Sequence, residues 1–170
     1  WAENYKLKKS YGLDINPIFK TAADEFADEK NLNADFRIGV GEKLPYEDNF
    51  FNFVISTDTF EHVQNLENSI DECFRVLKPG GMLLAVFPQY LQPFESHLNF
   101  VTNLPCLHWF FNAKKISEKY FEILDERGEN AKWYRGEKKS LENWEKLPTL
   151  NGTSIRKFEK ILKINDWDDI

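Results

Sequence analysis

Long apolar runs are missing from this chain. Its longest unbroken hydrophobic stretch, Met82 to Phe87, is six residues long, where a bilayer-spanning helix needs about 20, so no membrane segment is expected. Cysteine is scarce: Cys73 and Cys106 each stand alone among apolar neighbours. That excludes a disulfide framework and a cysteine zinc site, and it favours a reducing cytoplasm. The three histidines, His62, His97 and His108, lack metal-ligand spacing with the carboxylates, so no metal is expected. Trp1-Ala2-Glu3-Asn4 carries neither the basic nor the apolar segment of a secretory leader. Basic charge is not in excess either. Lys and Arg total 22 against 28 Asp and Glu, a net charge of -6, which argues against a nucleic-acid partner. There is no internal repeat, low-complexity tract or Gly/Ser linker.

What is present, 170 residues, fits one ordinary soluble domain or one domain with an appendage. Charge is uneven: residues 1–113 carry 9 basic and 16 acidic side chains, and residues 114–170 carry 13 and 12. Aromatics reach 15% of the chain, and nine of them fall between Phe87 and Phe121. Such density implies either a packed core or lid, or a pocket lined by rings.

The first half alternates strand-like and helix-like patterns. Lys8 to Asp14 reads as a strand ending in an acid. Asn16-Pro17 supplies a helix cap and a first-turn proline, and Ile18, Ala22, Ala23, Phe26 and Ala27 place an amphipathic helix over 17–30. Phe36, Ile38 and Val40 alternate as a second strand, with Gly39 and Gly41 allowing a turn. Phe50 to Ser56 is nearly continuously apolar, the pattern of a strand covered on both faces. Leu66, Ile70, Cys73, Phe74 and Leu77 predict a helix over 66–77, ended by Pro79-Gly80-Gly81, and Met82 to Phe87 reads as another buried strand. Strand–helix–strand–strand–helix–strand implies an open, mostly parallel α/β sheet. Beyond Phe87, prolines among aromatics predict loops with short helical turns. Helices are expected over 114–124 and from Ser154 to Lys163, the second burying Ile155, Phe158, Ile161 and Leu162. The segments expected are a core over 1–87, a cap over 88–150 and a returning helix within 151–170.

In an open α/β sheet, ligands bind beyond the carboxyl ends of the strands. Asp14 ends the first strand, where a carboxylate can accept two hydrogen bonds from a ribose diol or, alternatively, cap a helix. The turn Gly39-Val40-Gly41-Glu42 ends the second, and its backbone N–H groups can meet an adenine ring. Ser56-Thr57-Asp58 ends the third, beside the middle of the crevice.

Four stretches, in order and at matching spacing, resemble the class I S-adenosylmethionine-dependent methyltransferases. Tyr11-Gly12-Leu13-Asp14-Ile15-Asn16 is similar to that family's second-strand motif. Gly41 to Tyr46 with Asp48-Asn49 and Phe53 to Ser56 is similar to its third-to-fourth-strand segment. Phe60-Glu61-His62-Val63 resembles its Leu-Glu-His stretch, and Phe74 to Gly81 the turn before strand five. The resemblance implies a Rossmann-like sheet with flanking helices and S-adenosyl-L-methionine as cofactor. It also implies that Asp14 holds the ribose and that Ile15 packs on the adenine, with Val40, Gly41, Glu42, Ser56, Thr57 and Asp58 completing the cofactor set.

Three departures stand out. The family's glycine-rich turn after the first strand is expected upstream of Trp1. Val40 stands where many relatives carry an aspartate for the adenine amino group, leaving that contact to Glu42 or the backbone. Asn52 replaces a common strand-four aspartate. With the central first strand absent from this chain, the second and fourth family strands cannot pair across the gap, since neighbours lie ~4.8 Å apart. A further segment, another subunit forming a homo-oligomer, or a differently closed sheet is therefore expected.

The resemblance implies methyl transfer, an enzymatic activity, to a small-molecule acceptor, with positioning supplying much of the rate. A hydroxyl or acidic carbon acceptor would need a base. His62 and His97 are the candidates, while His108 between Leu107 and Trp109 reads as packed. Tyr90, His97 and Trp109 are the expected acceptor contacts, under a cap in which Trp109, Trp133 or Trp144 faces the pocket. Two alternatives remain at this point: a methyltransferase-like chain that binds no cofactor and serves as a structural or regulatory partner, and a dinucleotide oxidoreductase.

Overall fold

The computed structural model describes residues 7–94, 98, 101–128 and 151–164. Four strands and five helices are seen among them: β1 (Ser10–Asp14), α1 (Pro17–Glu29), β2 (Ala34–Ile38), β3 (Phe51–Thr57), α2 (Leu66–Val76), β4 (Leu77–Val86), α3 (Leu107–Phe110), α4 (Ala113–Arg127) and α5 (Ile155–Ile164). Trp133 and Trp144 lie outside the described residues.

All strand pairing is parallel, as expected, but it forms two separate sheets, β1–β2 and β3–β4. Among the described residues β1 and β3 each pair along one edge only. β1 and β3 are not paired with each other among the described residues. Aromatic rings meet across this gap instead: Tyr11 of β1 stands edge-on to Phe50 and Phe51 at 5.3 Å, and Tyr46 joins them. Gly12 faces Phe36 in the β1–β2 register, and a Cβ there would lie 2.3 Å from the Phe36 ring. The missing side chain is what lets the Phe36 ring lie flat across β1.

Local sequence explains the helix starts. The Asn16 side chain accepts a hydrogen bond from the Ile18 N–H ahead of Pro17. Asn65 does the same for Asn68 at α2, and Asn112 for Lys115 at α4. Ser154 caps α5 through the Lys157 N–H.

The core divides in two. Phe60, Val63, Leu66, Ile70, Cys73 and Ile161 form one cluster, joined by Val54, Leu83 and Ala85 from the sheet and Phe158 from α5. So α2 and α5 cover one face of β3–β4. Leu98, Ile116, Tyr120, Phe121 and Leu124 form the second, joined by Tyr90.

Several expectations need correction. β3 and β4 are not covered on both faces: Phe53, Met82, Leu84 and Val86 are 38–51% exposed. They alternate with half-buried positions such as Val54, Leu83 and Ala85, so they share the opposite face of the sheet, which no described helix packs on. The apolar positions of α1 also stay open, with Ile18 and Phe26 exposed and only Ala27 buried. Ile155 is exposed as well. Pro79-Gly80-Gly81 does not separate helix from strand. α2 passes into β4 at Leu77, which pairs with Phe51, and the ladder resumes at Phe53–Met82. Gly80, at a φ of 75°, lets the intervening residues loop out. β2 stops at Ile38, because Val40 turns back to bridge Lys43.

Candidate functional site

Parallel strands bring their carboxyl ends to one edge, and the β1–β2 register places Asp14 opposite Ile38. The Gly39 N–H donates to the Asp14 carbonyl at 3.0 Å, so the turns leaving β1 and β2 lie side by side. The Asp14 side chain is exposed and accepts the Asn16 N–H through Oδ1 at 2.7 Å. That contact tightens its own turn, while the helix cap falls to Asn16. Ile15 and Val40 follow these strand ends and stay 72% and 41% exposed. Ile15 follows the Asp14 carboxylate in sequence, and Val40 lies two residues beyond Ile38, the partner of Asp14 in the β1–β2 register, giving an edge suited to a flat ring with a diol attached.

Glu42 sits in the same turn, but its Oε1 accepts the N–H groups of Gln64 and Asn65 at 2.7 and 3.2 Å. This oxygen fastens the β2 turn to the start of α2, where a negative charge meets the helix dipole favourably. Gly41 packs close by, with Val63 and Ser69 within 3.5 Å of where its Cβ would stand. A second tie lies further along. Arg75 grips both oxygens of Glu72 at 2.7 Å and also donates to the carbonyls of Leu44 and Tyr46 and to Asp48. Glu72 in turn accepts the Leu44 N–H at 2.6 Å. The Arg75 guanidinium holds the Glu72 carboxyl below its ordinary range.

At the end of β3, Ser56 has its Oγ buried with no hydrogen-bond partner among the described residues. Thr57 and Asp58 are exposed. Asp58 adopts a φ of 49°, in the left-handed region, and its N–H donates to the Val86 carbonyl at 2.8 Å. A strained aspartate joining two strand ends is a pattern of ligand edges. Asn52, the departure noted earlier, accepts a hydrogen bond from Lys78 at 2.9 Å.

His62 follows in the loop after β3. Its side chain is 35% exposed, and Nε2 lies 3.6 Å from Oε1 of the nearly buried Glu61. His97 lies outside the described residues. His108 is buried, as expected, between the rings of Tyr90 and Trp109. Tyr90 faces the second core cluster, whereas Trp109 is half exposed. Among the described residues no group of acids, histidines and cysteines has metal-site geometry, and no helix is long and apolar enough to cross a membrane.

Sequence reasoning missed Asn151. It is buried, and its Nδ2 donates to the carbonyls of Phe60 and Val63 at 2.8 and 2.7 Å. Its backbone N–H donates to the Glu61 carbonyl at 2.9 Å. Its Oδ1 accepts both the N–H and the hydroxyl of Thr153. The His62 loop is therefore held from both sides by one amide. The turn-forming Asn151-Gly152-Thr153 triplet was the available signal.

Comparison with known proteins follows the same lines. A family model described as a methyltransferase domain matches residues 1–85. A ubiquinone biosynthesis O-methyltransferase of Maricaulis maris is 35% identical over 74 residues, covering 43% of this chain and 29% of that protein. A malonyl-[acyl-carrier protein] O-methyltransferase of Coxiella burnetii is 29% identical over 123 residues, covering 71% and 40%. A solved structure from Bacillus halodurans, carrying a provisional methyltransferase name, shares the fold at a TM-score of 0.57 and 16% identity, covering 96% of this chain and 55% of its own. The chain spans less than half the length of these two curated relatives. With half of its residues matched by the family model, and the parallel sheet, the acid-tipped first strand and the Glu61-His62 loop in place, the chain belongs to the methyltransferase-domain family.

Proposed function

We propose that this chain contributes the nucleoside-binding edge of an S-adenosyl-L-methionine-dependent methyltransferase acting on a small-molecule acceptor. The observation that carries the reading is the rim at the β1 and β2 ends: a carboxylate, Asp14, backed by the Gly39 turn and neighboured by exposed Ile15 and Val40. The group fits these residues, since Asp14 Oδ2 is not used by the local turn and Ser56 carries an orphaned hydroxyl oxygen. When bound, the cofactor supplies a methyl group activated on a sulfonium. Asp14 accepts the two ribose hydroxyls, and Ile15 and Val40 shield the base. Backbone groups of Gly41 serve the adenine edge, because one Glu42 oxygen is committed to α2. Ser56, Thr57 and Asp58 line the part of the crevice nearest β3. His62 takes the acceptor's proton, and the Glu61 carboxylate 3.6 Å away pairs with the resulting imidazolium. Tyr90, Trp109 and His97 belong to the acceptor side.

The unpaired edges of β1 and β3 and the open face bearing Phe53 and Val86 support a further proposal: another strand and its helices, from the same full protein, complete the sheet. Two free thiols, one buried and one half-buried, suit a cytoplasmic setting.

Calorimetry of S-adenosylhomocysteine on the full-length protein tests the reading. A charged carboxylate hydrogen bond contributes about 1.5–3 kcal/mol, so Asp14→Ala should weaken binding by roughly 10- to 100-fold. Unchanged affinity in Asp14→Ala refutes the assignment of the ribose contact. Absence of binding in the native protein favours the structural-partner alternative, and a preference for NAD the oxidoreductase.

A further inference from the structure

A recess lies between the helices that follow β4. α3, α4 and the turn at Val101 line a half-open recess of about 350 Å³ with an almost wholly apolar lining. Its wall is made by Leu98, Val101, Leu107, Ile116, Tyr120 and Ile123. The size is that of a ligand pocket rather than a packing defect. A cavity of about 150 Å³ takes one benzene, so this one takes an apolar body on the order of ten carbons. A wall of carbon offers water few hydrogen-bond partners, so hydrocarbon or a ring fits this recess better than a polar group.

One edge of the cavity is cationic. Lys115 and Lys119, one helical turn apart on α4, both line it. Lys119 is paired with Glu122 at 2.6 Å. The neighbouring Lys114 reaches Glu118 at 4.0 Å and does not line the cavity. The exposed Lys115 ammonium has no ion-pair partner among the described residues. It stands in the first turn of α4, which holds no acidic residue. A cation there meets the positive end of the helix dipole, an unfavourable arrangement that a bound anion relieves.

We infer that this cavity binds an apolar acid: a small molecule with one anionic head on Lys115 and a hydrocarbon or aromatic body in the recess. The cluster beneath the cavity includes Ile116 and Tyr120 and packs against Tyr90, four residues beyond the end of β4. The recess thus joins the carboxyl edge of the sheet through one aromatic side chain. As the acceptor subsite of the enzyme, a role that rests on the methyltransferase reading, it selects acceptors carrying an acid and an apolar chain.

The test is calorimetry of dodecanoate on the full-length protein, below its micellar concentration, beside dodecyltrimethylammonium as the cationic counterpart. Dodecanoate is expected to bind saturably, one per chain, at least tenfold tighter than the cation. Lys115→Glu, at an exposed position, should weaken dodecanoate at least tenfold and narrow or reverse the preference. Lys114→Glu should leave it unchanged. Ile123→Trp, which fills the recess, should abolish binding of both. Equal affinity for the two amphiphiles, no saturable binding, or an unaltered Lys115→Glu variant overturns the inference. Titration of S-adenosylhomocysteine on the same samples separates the two readings: cofactor binding without dodecanoate binding removes the acid site alone, and the reverse removes the methyltransferase reading alone.

Discussion

Replacing Asn151 with alanine should be among the costliest single changes in this chain. The Asn151 amide is buried at 5% exposure and satisfies the carbonyls of Phe60 and Val63 as well as two donors of Thr153. Each net hydrogen bond is worth about 1 kcal/mol, and each buried group left without a partner costs about 1–3 kcal/mol. Phe60 and Val63 are themselves buried, so water has little access to their carbonyls. Loss of the amide therefore costs about 3–5 kcal/mol, a large share of the stability of an ordinary domain. Asn151→Asp should be at least as harmful. It places a carboxylate against two carbonyl oxygens and must bury a charge or take up a proton. Urea unfolding of the full-length protein near neutral pH, followed by tryptophan fluorescence with the slope held common, gives the difference directly. A loss below about 1 kcal/mol for Asn151→Ala, or an Asn151→Asp variant as stable as the parent, refutes the clamp. A second readout locates the effect, since hydrogen exchange at Gln64 and Asn65 should quicken before exchange in α2.

Burial, with a smaller contribution from Glu72, pushes the Cys73 thiol up to about 12, so the native protein should shield it from alkylation. Peptide mapping after iodoacetamide should find Cys106 modified and Cys73 modified only in denaturant; equal rates at both would contradict the packing of α2. The Glu72 carboxyl is held down by its hydrogen bond to Arg75 and, to a lesser degree, by the Leu44 N–H. Its contribution to stability is present above its ordinary value of 4.5 and is lost as pH falls through the lower folded-state value. Glu72→Gln should thus destabilise the protein at neutral pH and converge with the parent in acid. Parallel denaturation curves across that range, with no convergence, would count against the Arg75 tie.

Elements with a local cause were legible before the coordinates. Asn16-Pro17 fixes the start of α1 because cap and proline act within one turn. The spacing of Leu66, Ile70 and Cys73 predicts α2, and that face is the buried one. Burial of the other faces was not legible. Ile18 and Phe26 repeat at helical spacing, yet periodicity says only that a face is apolar and not what covers it. The same limit applies to Phe53 and Met82, whose run reads as doubly covered while one side stays open. Asp14 could be placed at a strand tip from the sequence, because an acid ending a strand before a capped helix has few other places to go. Asn151 could not. Its partners lie 91 and 88 positions away, and no short-range pattern encodes which distant carbonyls need a donor.

The turns that leave the strands share one constructional rule, and it explains how a rim can be shaped by two sheets that share no strand pairing among the described residues. The β2 turn is tied to α2 by Glu42 and by Arg75. The β3 loop is tied to the approach of α5 by Asn151. The segment after β4 joins that same approach, since the Tyr90 N–H donates to the Thr153 carbonyl at 2.8 Å. Thr153 therefore stands between the His62 loop and Tyr90, two of the places where acceptor chemistry is proposed. If this is how the rim keeps its shape, changes at Asn151 and Thr153 act on one unit, and their costs should be strongly non-additive. The β1 turn alone relies on strand pairing and its own Asp14–Asn16 contact. Its geometry therefore rests on the β1–β2 ladder and on that single turn contact.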